Sequence, residues 1–258
     1  MKYDDERTVE FYEGKIKYDD AGNVIDHPLN RLYYLRLKTI VKNRHQLAFA
    51  GDDLYNTQQF ADVNYYYLGF YGEREECRYR EAWADELRGL VLQRLSDNDK
   101  SWYIGFASPQ SCTLYHENSN RRVRKTMDYY QSMNPGQFAL ITSERPYGYG
   151  KGEITYLFSE ISKKAIYSSA LQIWPTALEM YPIQGYCLAE DSIHLLKEWN
   201  LETRDRNLFR KVLDVCDWIF FASPAEHWYF EFFTNKVSAA EFLARIDLDD
   251  LNKRANRL

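Results

Sequence analysis

The chain carries much of its apolar bulk in rings. It has 22 Tyr, 14 Phe and 6 Trp among 258 residues, clustered in runs such as Tyr65-Tyr66-Tyr67-Leu68-Gly69-Phe70-Tyr71 and His227-Trp228-Tyr229-Phe230-Glu231-Phe232-Phe233. Rings bury large areas, and a buried Tyr or Trp also needs a partner for its polar end. A fold made from them must pack flat side chains closely and bring hydrogen-bonding groups into the core. Such rings are enriched at protein interfaces too, so the same abundance points to recognition of another macromolecule.

At roughly 150 residues per domain, 258 residues make one or two domains with a real core, which excludes a disulfide-stapled scaffold. The net charge of −5 offers no global attraction to polyphosphate, so a general nucleic-acid coat is excluded. Cys77, Cys112, Cys187 and Cys216 show no C-x-x-C spacing, and the five histidines show no H-x-x-x-H spacing, so no metal site is expected. Met1–Glu6 is acidic where a secretory signal is basic and then apolar. No uncharged apolar run approaches the roughly 20 residues of a membrane span. The expectation is a soluble cytoplasmic protein.

Along the chain, Thr8–Tyr12 reads as a strand, with hairpin arms at Lys15–Tyr18 and Asn23–Ile25 around Asp19–Gly22. Pro28–Arg44 reads as a helix, Tyr65–Tyr71 as a buried strand or part of a helix, and Glu73–Leu95 as a long amphipathic helix. Beyond the polar loop Ser96–Ser101, strand-like segments (Trp102–Ala107, Gln137–Thr142, Ile166–Ile173) alternate with helix-like ones (Asn120–Met133, Glu153–Lys164). From Ser192 onward helices are expected to dominate. Capping boxes stand at Ser223–Glu226 and Ser238–Glu241, with the ring-rich 227–233 as a short helix between them. The echo of Ile104–Pro109 in Ile219–Pro224 is too short to count as a repeat. The fold class expected is α+β (or α/β), with a central mixed, partly parallel sheet and flanking helices. Residues 1–96 form an N-terminal hairpin and helical region, 97–190 a central α/β region, and 191–258 a C-terminal helical region on the same core.

Three constellations can carry chemistry. In Arg145-Pro146-Tyr147-Gly148-Tyr149-Gly150-Lys151-Gly152, glycines permit close backbone approach between an expected strand and an expected helix, whose first N–H groups would face an anion. With the later segment Ala177–Tyr186, this turn resembles two motifs of the GNAT acyltransferase superfamily. The resemblance implies that Arg145, Gly148, Gly150 and Gly152 cradle the pyrophosphate of acetyl-CoA, and that Tyr181 protonates the departing thiolate. The basic run Arg121, Arg122, Arg124 and Lys125 opens an expected helix and can meet phosphate, RNA or an acidic surface. Cys112 and His116 fall on one face of an extended segment beside Glu117, a weak nucleophile relay.

Two functions follow. The first is a cytoplasmic, non-enzymatic protein-binding protein of the inhibitor or immunity type. It would use an aromatic-rich surface, with Arg121, Arg122, Arg124, Lys125, Trp228 and Tyr229 as contacts, another protein as partner in preference to nucleic acid, no membrane and no cofactor. The second is the acyl-CoA-dependent N-acyltransferase with acetyl-CoA as its cofactor, so whether the chain is an enzyme stays open.

Overall fold

A strand covered on both faces carries apolar residues at every position and loses the two-residue alternation that marks a half-exposed strand. The aromatic runs of this chain meet that condition. The structure is a computed structural model that describes residues 6–15, 19–21, 62–72, 82–96, 99–109, 138–147, 150–162, 166–167, 183–201, 206–222 and 229–258. Among these, eight strands form one sheet: β1 (Thr8–Gly14), β2 (Asn64–Tyr71), β3 (Ser101–Pro109), β4 (Phe138–Tyr147), β5 (Gly150–Ser162), β6 (Ile183–Leu188), β7 (Trp218–Ala222) and β8 (Tyr229–Thr234). Their order is β1-β2-β8-β7-β6-β3-β5-β4, and every neighbouring pair is antiparallel.

The expected mixed, partly parallel sheet is therefore corrected. It rested in part on a crossover helix at Glu153–Lys164, whose described residues are a strand in the structure. Ile154, Leu157, Phe158 and Ile161 recur at helical spacing, yet Gly150–Ser162 is the long strand β5, paired with β3 on one side and β4 on the other. Residues 229–233, where a ring-covered helix is expected, lie in β8, whose residues are all buried. β7 is likewise buried throughout, so strands, and not helices alone, follow Ser192. Ile166 and Tyr167 are helical where a strand was expected. The expected elements at 28–44 and 120–133 and the capping box at 223–226 lie outside the described residues.

Five helices complete the described architecture: α1 (Ala82–Leu95), α2 (Ile193–Leu201), α3 (Arg206–Val215), α4 (Ala239–Ile246) and α5 (Leu248–Ala255). One face of the sheet packs Tyr66, Leu68, Phe70, Phe230, Phe232, Trp218, Phe220, Trp102 and Ile104 against Trp83, Leu87, Val91 and Leu95 of α1 and against Phe242, Ile246 and Leu251 of α4 and α5. The other face is also largely buried, through Tyr65, Tyr103, Tyr186, Ile219, Phe221, Tyr229 and Phe233. The Ser238 cap was legible in sequence: its side chain accepts the Glu241 N–H and opens α4. Asp247, at φ 51°, then turns the chain into α5 and caps it by accepting the Asp250 N–H.

α1 departs from its expected amphipathic form, because no described side chain along it is exposed. Asp85 and Arg88 are buried and pair at 3.1 Å, and the Arg88 guanidinium lies 5.4 Å from the Phe70 ring centroid and 5.9 Å from that of Phe230. Pairing and ring contact offset the cost of removing those charges from water. The C-terminal end of α1 is equally internal. The Trp102 indole donates to Leu92 O at 3.1 Å and to Ser96 Oγ at 2.6 Å, and the Trp218 indole donates to Leu95 O at 3.1 Å.

Trp102, Cys187 and Trp218 form one row across β3, β6 and β7, and Ile104, Gly185 and Phe220 form the next on the same face. Strand β6 thus offers small residues where its neighbours present large ones. A Cβ at Gly185 would lie 2.0 Å from a ring carbon of the fully buried Phe220. Gly185→Ala is expected to destabilise by about 1–3 kcal/mol through overpacking. At Gly69 the obstacle is the exposed Tyr71 ring, which can swing away, so Gly69→Ala is expected to cost less. Urea midpoints of the two variants check this, and equal losses would refute it.

Candidate functional site

Alternation sends Glu10 and Tyr12 of β1, Tyr65, Tyr67 and Tyr71 of β2, and Tyr229 and Glu231 of β8 to the sheet face away from α1. Antiparallel register places Tyr12 opposite Tyr67 and Tyr67 opposite Glu231, so three adjacent strands present one continuous band. The band grades from water to core. Tyr12 and Tyr71 are 39% and 45% exposed, Tyr67 is half-buried, and Tyr65, Tyr229 and Glu231 are buried.

Local chemistry holds these rings in place. The Tyr12 hydroxyl donates to the Glu10 carboxylate two residues back on the same face. The Tyr67 and Tyr71 hydroxyls lie 3.3 Å apart, and Gly69 between them leaves room for the Tyr71 ring to fold back. Tyr67 stacks on Tyr229, with centroids 5.3 Å apart and planes 24° apart, and lies 5.8 Å from Tyr12. At the inner end, the Tyr65 hydroxyl donates to Glu231 Oε1 at 2.9 Å, which gives a carboxylate with no exposed surface a strong acceptor role.

Electrostatics favours neutral phenols here. The hydrogen bond to Glu10 is the largest influence on Tyr12, whose pKa is pushed up to about 12. Burial, then the hydrogen bond to Tyr71 and the nearby Glu231 charge among other contributions, holds Tyr67 well above the ordinary phenol value. Burial also raises Tyr66, helped by Glu13 and Glu241. The charged side chains that act on Tyr12 and Tyr67 are carboxylates. Neutral rings with negative faces beside carboxylates suit a cation, whose charge is attracted by the ring quadrupole, better than they suit a phosphate.

The structure treats the sequence candidates differently. Arg145 pairs with Gly152, and Tyr147 with Gly150, so the glycine turn joins strand β4 to strand β5. The expected strand-to-helix turn is corrected to a strand-to-strand connection. No helix start follows Gly152 to hold a pyrophosphate, so the acyltransferase reading loses the support that the turn gave it. Tyr229 lies 3% exposed in β8, which corrects its expected placement on a docking helix. Gly148, Tyr181, Trp228, Arg121, Arg122, Arg124 and Lys125, together with Cys112 and His116, lie outside the described residues. Among the described residues, no group of three His, Cys, Asp or Glu side chains is placed to hold a metal ion, and no helix is long and apolar enough to cross a membrane.

Sequence reasoning missed Glu10, Tyr12, Tyr67, Tyr71 and Glu231 as a group. Two signals were there to find them: Glu10-x-Tyr12 alternation on a recognised strand, and Glu231 as the lone charge among Tyr229–Phe233. Comparison with family models, with curated proteins and with solved structures returned no match for this chain.

Phenols whose folded pKa lies above the unfolded value of about 10 keep their stabilising contribution below pH 10 and lose it as pH rises above that point, because only the unfolded chain then sheds the proton freely. Tyr66, Tyr67 and Tyr103 all shift in this direction, with burial the largest cause. The urea midpoint is expected to be level from pH 8 to 9.5 and to fall beyond pH 10, with a shallower fall in Tyr67→Phe. A midpoint that rises with alkalinity would contradict the arrangement.

Proposed function

We propose that this protein works by binding a cationic segment of another protein on the tyrosine–glutamate band of β1 and β2, as a cytoplasmic binding protein of the inhibitor or immunity type. One observation carries the reading. Large hydrophobic side chains are rarely exposed among the described residues: Tyr12, Tyr71 and Leu258 are the exposed ones, and the two rings stand together in this band.

Charge supports the sign of the partner. Glu10 accepts from Tyr12, Glu231 lies beneath, and the whole chain carries −5. A lysine or arginine laid over these rings gains cation–π attraction of about 0.5–2 kcal/mol. A phosphate backbone would meet carboxylates instead.

The test uses the full chain and a blocked, dye-labelled peptide alternating valine with lysine, followed by fluorescence anisotropy. Binding is expected to weaken with salt, and to weaken by about threefold to tenfold in Tyr71→Ala and in Glu10→Gln, as cation–π and rim-charge energies imply. The same peptide with glutamate for lysine is expected not to bind. Equal binding of both peptides, or indifference to both substitutions, would refute the proposal.

A further inference from the structure

Strand β1 is an outer strand of the sheet among the described residues, and its free side is divided in two. Backbone groups alternate in direction along a strand, so residues 7, 9, 11 and 13 turn their N–H and C=O away from β2. Two asparagines one helical turn apart on and just beyond α5 occupy the first half. Asn252 accepts the Val9 N–H at 2.6 Å and donates to the Val9 carbonyl at 3.1 Å. Asn256 accepts the Arg7 N–H at 3.0 Å and donates to the Arg7 carbonyl at 2.9 Å. Each side-chain amide reproduces the donor and acceptor of a neighbouring strand, so the edge is closed as far as Val9. Phe11 and Glu13 receive no such cover among the described residues.

We infer that this open half, at Phe11 and Glu13, accepts the cationic segment as an added strand, with the asparagine pair setting where that strand must stop. The inference rests on the proposed cation-binding role and specifies its geometry. Main-chain pairing supplies affinity in such additions, and side-chain contacts on alternate residues supply selectivity. Here the alternate contacts are Glu10 and Tyr12 on one face of β1 and Glu13, opposite Tyr66, on the other. Charge identifies the occupant. The stretch Glu10–Gly14 carries two carboxylates, one on each face, and no cation, so a second copy of this edge would bring two more carboxylates and no counter-charge from that stretch, whereas a lysine-bearing strand finds counter-charges on either face.

The experiment is amide hydrogen exchange on the full chain with the alternating valine–lysine peptide, beside anisotropy with the same peptide N-methylated at two adjacent central amides. Placing the change in the peptide leaves the fold of the protein untouched. The expected result is protection gained at the Phe11 and Glu13 amides, with none gained at Val9, and about tenfold weaker binding after methylation from the lost hydrogen bonds. Binding of the lysine peptide without protection at Phe11 and Glu13, or unchanged by methylation, overturns strand addition and leaves the cation-binding role standing. Failure of the lysine peptide to bind at all overturns both. Equal protection by the glutamate peptide, or dimerisation of the free protein through this edge, overturns the assignment of a cationic occupant.

Discussion

Two buried indole N–H groups and the last carbonyls of one helix satisfy each other, and the centre of the sheet is built around that exchange. A helix leaves its final carbonyls without internal partners, and a buried indole needs an acceptor. In α1 those carbonyls end inside the core, and Trp102 and Trp218 supply the donors, with Ser96 bonded to both Leu92 O and the Trp102 indole. Removing the Trp218 ring would take the indole donor from Leu95 O as well as open a cavity, two costs of about 1–3 and 3–5 kcal/mol respectively, whereas after loss of Trp102 the Leu92 carbonyl keeps the Ser96 hydroxyl and the cavity is the main cost. The exchange also constrains register. Both indoles stand in one row with Cys187 between them, and a slip of one residue in β3 or β7 would turn a tryptophan to the opposite face.

From that row outward, size complementarity replaces hydrogen bonding as the organising influence. Gly185 admits the Phe220 ring, which meets Trp102 edge-on at 5.4 Å between centroids and Phe230 edge-on at 5.3 Å. Phe230, Phe232 and Phe242 then carry the ring network to Tyr66 and Phe11 near the sheet edge. Charged side chains hold the periphery. Arg210 joins α3 to Asp62 ahead of β2, Asp217 pairs with Lys100 and Lys236, and Arg94 reaches Asp250 in α5. The helices that bury one face thereby also bring α5 to the β1 edge.

Legibility in the sequence followed the range of the interactions. The Ser238 cap, strand β1 and the existence of α1 depend on neighbours a few residues away, and they could be read directly. The Asp19 turn belongs with them, since its side chain accepts the Ala21 N–H at 3.0 Å. Strands β5 and β8 could not be read, because strands covered on both sides, like β8, carry rings at consecutive positions, and such runs satisfy helical and extended spacing equally well. At Glu153–Lys164 helical spacing produced an expected crossover, and with it part of the case for a parallel sheet. The echo Ile104–Pro109 and Ile219–Pro224 takes a different meaning in space, since its described parts lie on β3 and β7, the two strands that flank β6. The band itself was half legible: ring abundance announced it, but its members come from three strands widely separated in sequence. The asparagine cover of β1 was not legible at all, because it joins residues 243 and 249 positions apart.

Exposed rings at the edge of a sheet are a hazard unless the edge is managed, since an open ladder invites unselective pairing. Here asparagines close one half, and under the proposed cation-binding role the glutamates on the other half disfavour a like copy and the rings are held in advance of the partner. The last of these bears most on binding strength. Tyr67 is stacked on Tyr229 and bonded to Tyr71, and Tyr12 is bonded to Glu10, so several rotamers are already selected in the free protein. Each immobilised side chain otherwise costs about 0.5–1.5 kcal/mol on association, and that cost is partly met during folding. The buried Tyr65–Glu231 pair serves the same end from below, fixing the inner part of the band. A small surface can in this way bind more firmly than its area suggests, because the order it requires is set by the same ring packing that stabilises the sheet.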